Sequence, residues 1–174
     1  MNSERWEGQR CERFLPIGRT SVPGRQKCQQ RGMVSCMDTQ HVNNSATIRR
    51  LLSTPGRWAV VGLTNNPARV APSIARFLRD ELSMQIIPVS LGAETVMGEP
   101  GFAKLADIPG PIDVVDCFVN SSKVGDIVDQ AIAVGAKAVW LQLGVIDEAA
   151  ARRAKDAGLD VVMDTCPKIE YPFR

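Results

Sequence analysis

From Ser45 onward, apolar and polar positions fall into two alternating periods. The segment ATIRRLLS after Ser45 reads as a short helix that Ser45 caps. Thr54-Pro55-Gly56 ends it, because proline and glycine break helices and the residue before proline is biased away from helix. WAVVGL (58–63) then reads as a short buried strand. APSIARFLRDEL (71–82) sets Ile74, Phe77, Leu78 and Leu82 at i, i+3, i+4 and i+8, one face of an amphipathic helix. MQIIPVS (84–90) reads as a second strand, and FAKLADI (102–108) as a helical turn between Pro100 and Pro109. IDVVDCFV (112–119) is the next strand. SSKVGDIVDQAIAVGA (121–136) gathers Val124, Ile127, Val128, Ala131 and Ile132 on one helical face. Ser121 or Ser122 can cap this helix and Gly135 can close it. KAVWLQLG (137–144) is a strand, DEAAARRAKDAG (147–158) a helix and DVVMDT (160–165) the last strand.

Val- and Ile-rich strands alternating with helices of this length predict parallel βαβ units with right-handed crossovers. About five strands covered on both faces make an α/β, Rossmann-like, doubly wound parallel sheet in a single domain. Ligands on such sheets bind beyond the carboxyl ends of the strands, which selects the loops 62–70, 88–95, 118–124, 142–147 and 164–168.

Residues 1–36 follow neither period. Their mix of Arg, Gln, Gly, Ser and Pro, as in GRTSVPGRQKCQQRG, reads as a disordered basic extension ahead of a domain at 37–174. Translation from Met33 or Met37 is an equally good reading. The segment lacks the apolar core of a secretory signal, and Glu4, Glu7 and Glu12 speak against a transit peptide. Seven cationic residues against three acids give this stretch a net +4, which leaves −2 for the rest of a chain of net charge +2. A slightly acidic body is unlike a nucleic-acid binder, and no apolar run is long enough to span a membrane. The five cysteines (Cys11, Cys28, Cys36, Cys117 and Cys166) are odd in number and form no Cys-x-x-Cys pair, and His41 is the single histidine. No metal site is expected, and a reducing, cytoplasmic setting fits best.

The loop after the first strand reads Gly62-Leu63-Thr64-Asn65-Asn66-Pro67-Ala68-Arg69. Gly62 permits a tight turn, while Thr64, Asn65 and Asn66 offer short polar groups and backbone N–H donors. A helix start behind them and the Arg69 guanidinium favour an anion. The alternative is an ordinary strand-to-helix turn in which Asn66-Pro67 starts the helix and Arg69 is solvated. Thr64 and Pro67 stand where the dinucleotide fingerprint needs glycine, and the second strand ends Pro88-Val89-Ser90 without a ribose-binding acid. No P-loop lysine follows either.

Several segments resemble the small CoA-binding proteins related to the nucleotide-binding domain of the succinyl-CoA synthetase α subunit. They are WAVVGLTNNPAR (58–69), IIPVS (86–90), VMGEPGFAKLADIPGPIDVVDCFVNSSKV (96–124), GAKAVWLQLGVIDEAA (135–150) and AGLDVVMDTCPKIE (157–170). The resemblance implies coenzyme A as the ligand. It places the diphosphate on Gly62, Leu63, Thr64, Asn65, Asn66 and Arg69, and the adenosine beside Pro88 and Val89. Phe118, Val119, Asn120 and Ser121 flank the adenine in this reading, with Lys123 and Val124 nearby, and Gln142 faces the pantetheine arm. Thr165-Cys166-Pro167 matches the synthetase's Asn-Cys-Pro turn. The synthetase's glycine- and lysine-rich turn after the second strand is replaced by Ser90-Leu91-Gly92-Ala93-Glu94, so contacts from 91–95 are not carried over.

The remaining polar residues read more plainly. His41 lies ahead of the matched segments in a flexible leader and receives no catalytic role; the second domain that carries the synthetase's phosphohistidine has no counterpart. Asp113 and Asp116 bracket an apolar pair and are expected to be solvated or capping. Asp147 and Glu148 open a helix, Asp164 sits at the ligand edge, and Trp140 is core. Cys166 could form a mixed disulfide with CoA, though a packing role is simpler. Lys168 and Glu170 could pair on the surface. The sequence thus predicts a CoA or acyl-CoA binding or sensor module with no catalytic residues assigned, its protein partner or self-association left open. An accessory subunit of an acyl-CoA ligase is the alternative, and an NAD(P)-dependent oxidoreductase a more distant one.

Overall fold

The computed structural model describes residues 40–173, and the expectations for residues 1–36, for the start at Met33 or Met37 and for Cys11, Cys28 and Cys36 lie outside them. The order is α1 (Ser45–Ser53), β1 (Arg57–Val61), α2 (Ala71–Asp80), β2 (Gln85–Val89), β3 (Val114–Cys117), α3 (Ser121–Ala133), β4 (Ala138–Leu141), α4 (Glu148–Asp156), β5 (Asp160–Val162) and α5 (Pro167–Glu170). Short 3-10 turns occupy Leu105–Asp107 and Tyr171–Phe173. Each strand is shorter than its apolar run, because the flanking residues turn out of the sheet to begin the loops.

The strands form one parallel sheet in the order β2-β1-β3-β4-β5. Strand alternation splits the core in two. Trp58, Val60, Val114, Ala138, Trp140 and Val162 face α1 and α2, where Ile48, Leu52, Ile74 and Leu78 meet them. Ala59, Val61, Val115, Cys117, Val139 and Leu141 face α3 and α4, packing on Val124, Val128, Ala131, Ala150 and Ala154. The Rossmann-like, doubly wound sheet read from the sequence is therefore the fold. The indoles of Trp58 and Trp140 lie 5.8 Å apart, and Trp140 Nε1 donates to the Thr165 carbonyl at 2.9 Å.

Two caps differ from expectation. Asn44, not Ser45, caps α1, its Oδ1 accepting from Ala46 N at 2.8 Å and Thr47 N at 3.3 Å. Asn120 precedes α3 in extended backbone, so Ser121 and Ser122 fall inside the helix and make other contacts. Ahead of α1, Asn43 pins the chain to the end of β5. Its Nδ2 donates to the Met163 carbonyl at 2.8 Å and its Oδ1 accepts from Met163 N at 2.9 Å.

Candidate functional site

The strand order places a topological switch between β1 and β3. From β1 the chain crosses to β2 on one side, while β3, β4 and β5 are laid down on the other. The loops leaving β1 and β3 therefore part at this point, the place beyond the carboxyl ends where doubly wound sheets take their ligands.

Gly62 makes this edge possible. Its φ is +91°, and a Cβ there would lie 2.9 Å from the Phe118 carbonyl oxygen. Glycine alone meets both conditions, and its N–H donates to the Val89 carbonyl at 2.8 Å. Leu63 next anchors the turn by burying its side chain in the α1/α2 core. The rest of the loop folds on itself. Thr64 Oγ1 accepts from Asn66 N at 3.3 Å, Asn66 Oδ1 accepts from Ala68 N at 2.9 Å, and the Asn66 carbonyl accepts from Arg69 N at 3.1 Å. Asn65 Nδ2 donates to the Thr95 carbonyl at 2.9 Å. Among the described residues, the backbone N–H groups of Leu63, Thr64 and Asn65 have no acceptor, and Arg69 is exposed without an ion pair.

The first turn of α2 supplies less than the sequence reading expects. Pro72 has no N–H, and Ser73 N already donates to the Val70 carbonyl at 3.0 Å. The unpaired donors concentrate in the turn itself, not in the helix behind it.

On the β3 side, Phe118 is half-buried against the α1/α2 core and Val119 against the opposite one. Asn120 is exposed, its Oδ1 accepting from Ser122 Oγ at 3.2 Å. Ser121 Oγ accepts from Ile146 N at 2.9 Å, which ties the β3 loop to the β4 loop. Lys123 is exposed, whereas Val124 is fully buried in the core. Pro88 and Val89 are buried residues at the end of β2, where the Pro88 carbonyl accepts from Phe102 N at 2.9 Å. The structure thus sets Gly62 against Phe118 and withdraws the side chains of Leu63, Pro88, Val89 and Val124 into the interior.

Gln142 follows β4, is 5% exposed, and donates from Nε2 to Asp116 Oδ1 at 2.7 Å. This corrects the reading of Asp116 as solvated or capping. Asp116 lies inside β3 at 0% exposure, in register with Val60 on one side and Trp140 on the other. Burial pushes its carboxyl up to about 8, with the Gln142 hydrogen bond opposing. Among the described residues its Oδ2 has no partner, and neither has the buried Ser90 Oγ just after β2. The period-two position of Asp116, two residues after Val114, is the signal that it shares the inner face. Asp113 does cap: it accepts from Arg57 N at 2.8 Å and pairs with Lys137 at 2.7 Å. Burial works against its ionisation, but these partners outweigh it and hold the carboxyl below the usual range.

Other polar residues at this edge are committed to structure. Asp164, at φ +56°, accepts from Gly144 N at 2.7 Å, and Asp147 caps α4 by accepting from Ala150 N at 2.9 Å. Glu170 accepts from Thr165 Oγ1 at 2.6 Å, and among the described residues it forms no ion pair with Lys168. His41 is not in a free leader: its N–H donates to Glu148 Oε2 at 2.8 Å, and its Nε2 lies 2.8 Å from Asn43 Oδ1. Burial, and then the neighbouring Asp116, push the Cys117 thiol well above its ordinary value, while Cys166 is half-buried against the α1/α2 core. Among the described residues, no cluster of metal-ligating side chains occurs, and no helix is long and apolar enough to cross a membrane.

A doubly wound sheet with a glycine-shaped turn at its switch point defines a Rossmann-like domain. The family model of the CoA binding domain matches residues 56–172. The chain belongs to this CoA-binding domain family. The Bacillus subtilis protein YneT is 30% identical over 128 residues, covering 74% of this chain and 94% of YneT. A Pyrococcus horikoshii protein of known structure is 32% identical with a TM-score of 0.70, over 75% of this chain and 91% of its own. The dinucleotide-forming acetyl-coenzyme A synthetase 1 of Ca. Korarchaeum cryptofilum aligns at 26% identity and a TM-score of 0.60. That match covers 67% of this chain and 27% of the synthetase.

Proposed function

We propose that the chain binds coenzyme A or an acyl-CoA and presents it without transforming it, as a sensor or carrier module. The observation that carries this reading is the set of unpaired N–H groups at Leu63, Thr64 and Asn65 on the β1/β3 switch. A diphosphate would accept from these amides, and Arg69 would add a mobile positive charge at the rim. The half-buried Phe118 would offer an apolar wall to the adenine, with Asn120 and Ser121 beside it and Lys123 within the same loop cluster. A binding role is supported by the commitment of the carboxylates at this edge to internal contacts. The free thiols Cys117 and Cys166 suit a reducing, cytoplasmic setting.

The second reading, an accessory subunit of an acyl-CoA ligase, is favoured by the match to about a quarter of an acetyl-coenzyme A synthetase. In that case a partner chain supplies the bond-forming chemistry. Isothermal titration of the full chain with CoA, acetyl-CoA, NAD and ATP tests the proposal. Binding of CoA or acetyl-CoA ahead of NAD and ATP is expected; preference for NAD would overturn it. Co-purification with a nucleotide-dependent ligase chain would move the second reading ahead of the first.

A further inference from the structure

We infer that Asp116 is a positioning residue which fixes the amide of Gln142 so that its oxygen, not its nitrogen, meets the ligand. The inference rests on the CoA reading and deepens it. A fully buried carboxyl with one unpartnered oxygen is a costly occupant of a strand interior, where valine would pack without penalty. What Asp116 does there is specific. The Gln142 backbone is held in the turn after β4, its N–H directed to the Cys117 carbonyl at 3.4 Å and its carbonyl accepting from Val145 N at 2.8 Å. Only the side chain remains free to turn, and a terminal amide has two nearly isosteric orientations. In this structure Nε2 donates to Asp116 Oδ1 at 2.7 Å, which holds one of them.

Among the described residues Gln142 Oε1 has no hydrogen-bond partner, yet it is not among the buried unpartnered atoms, so it keeps access to the surface at the carboxyl edge. That edge runs from the diphosphate turn through Ser121, which is bonded to the β4 loop at Ile146. A ligand arm laid along it meets an acceptor at Gln142. The pantetheine arm of CoA carries two secondary amides, whose N–H groups are the matching donors. Asp116 thereby sets the sign of a contact that it does not itself make.

The test compares CoA with adenosine 3′,5′-bisphosphate, which keeps the nucleotide end and lacks the arm. Asp116→Leu is expected to weaken CoA binding by about 3- to 10-fold, the worth of one neutral hydrogen bond, and to leave the bisphosphate unaffected. Asp116→Asn, whose carbonyl can still accept from Gln142, should recover most of that loss. Should Asp116→Leu not fold, Gln142→Met carries the same comparison. Equal losses for both ligands, or an Asp116→Asn loss as large as that of Asp116→Leu, would overturn the inference. The Gln142 side-chain amide resonances give a reading that needs no ligand. Slow exchange in wild type and Asp116→Asn, lost in Asp116→Leu, supports the orienting contact, and indifference to the substitution removes it. Failure of the wild type to bind CoA would sink the CoA reading and the ligand contact together, while these resonances would still decide the orienting contact.

Discussion

Replacing Asp116 by Asn should flatten the pH dependence of stability over a defined window. In the folded chain burial raises the Asp116 carboxyl to about 8, whereas in the unfolded chain it returns to about 3.9. Between these values the folded state holds a proton that the unfolded state has released. The contribution is therefore fully present below about pH 4 and is lost as pH rises through about 8, at about 1.4 kcal/mol per pH unit. From about pH 5.5 to about pH 7.5 the loss amounts to roughly 2–3 kcal/mol, a large share of the ~5–15 kcal/mol typical of a domain. The carboxamide in the variant does not titrate, and every other ionisable group is common to both proteins. The stability of wild type minus that of Asp116→Asn should therefore fall by roughly this amount across the window and level off above about pH 8. The added amide donors shift the variant by a pH-independent ~1–3 kcal/mol, because the Oδ2 position lacks a partner. Urea denaturation followed through the buried Trp58 and Trp140 measures the difference directly. Parallel pH profiles for the two proteins would refute the reasoning, since they would mean that Asp116 ionises normally in the folded state.

Gly62→Ala should destabilise the chain by about 1–3 kcal/mol, because alanine meets both a left-handed φ and the Phe118 carbonyl; an unchanged Tm would contradict this. Arg69→Ala should weaken CoA binding by about 1–2 kcal/mol, the worth of a charged hydrogen bond, with the deficit shrinking as salt rises. Titration calorimetry at two ionic strengths checks it, and unaltered affinity would remove Arg69 from the site. Asn43→Ala breaks both bonds to Met163 and should cost about 1–2 kcal/mol. Hydrogen exchange at the Met163 amide would accelerate, and unchanged protection would show that the clamp is dispensable.

The parallel sheet is legible in the sequence because local patterns suffice for it. Ile74, Phe77 and Leu78 announce a helix face, and WAVV or AVWL a strand buried on both sides. Strand order is not legible, since nothing local to β3 says that it pairs with β1 and β4. The turn at Gly62 is legible as a tight turn, but the contact that demands glycine comes from Phe118, far along the chain. Asp116 reads wrongly from the sequence because its charge outweighs its alternation with Val114, and because its partner Gln142 lies on another strand's exit. The clamp between Asn43 and Met163, which joins residues 120 apart, leaves no trace in local periodicity.

Titration of the ¹⁵N-labelled chain with CoA, following backbone amides, tests diphosphate binding at the β1 turn most directly. Saturable shifts concentrated at Leu63, Thr64 and Asn65 are expected, with smaller ones from Phe118 to Ser121. Saturable binding that leaves these amides unmoved, or shifts confined to another face of the sheet, would contradict it.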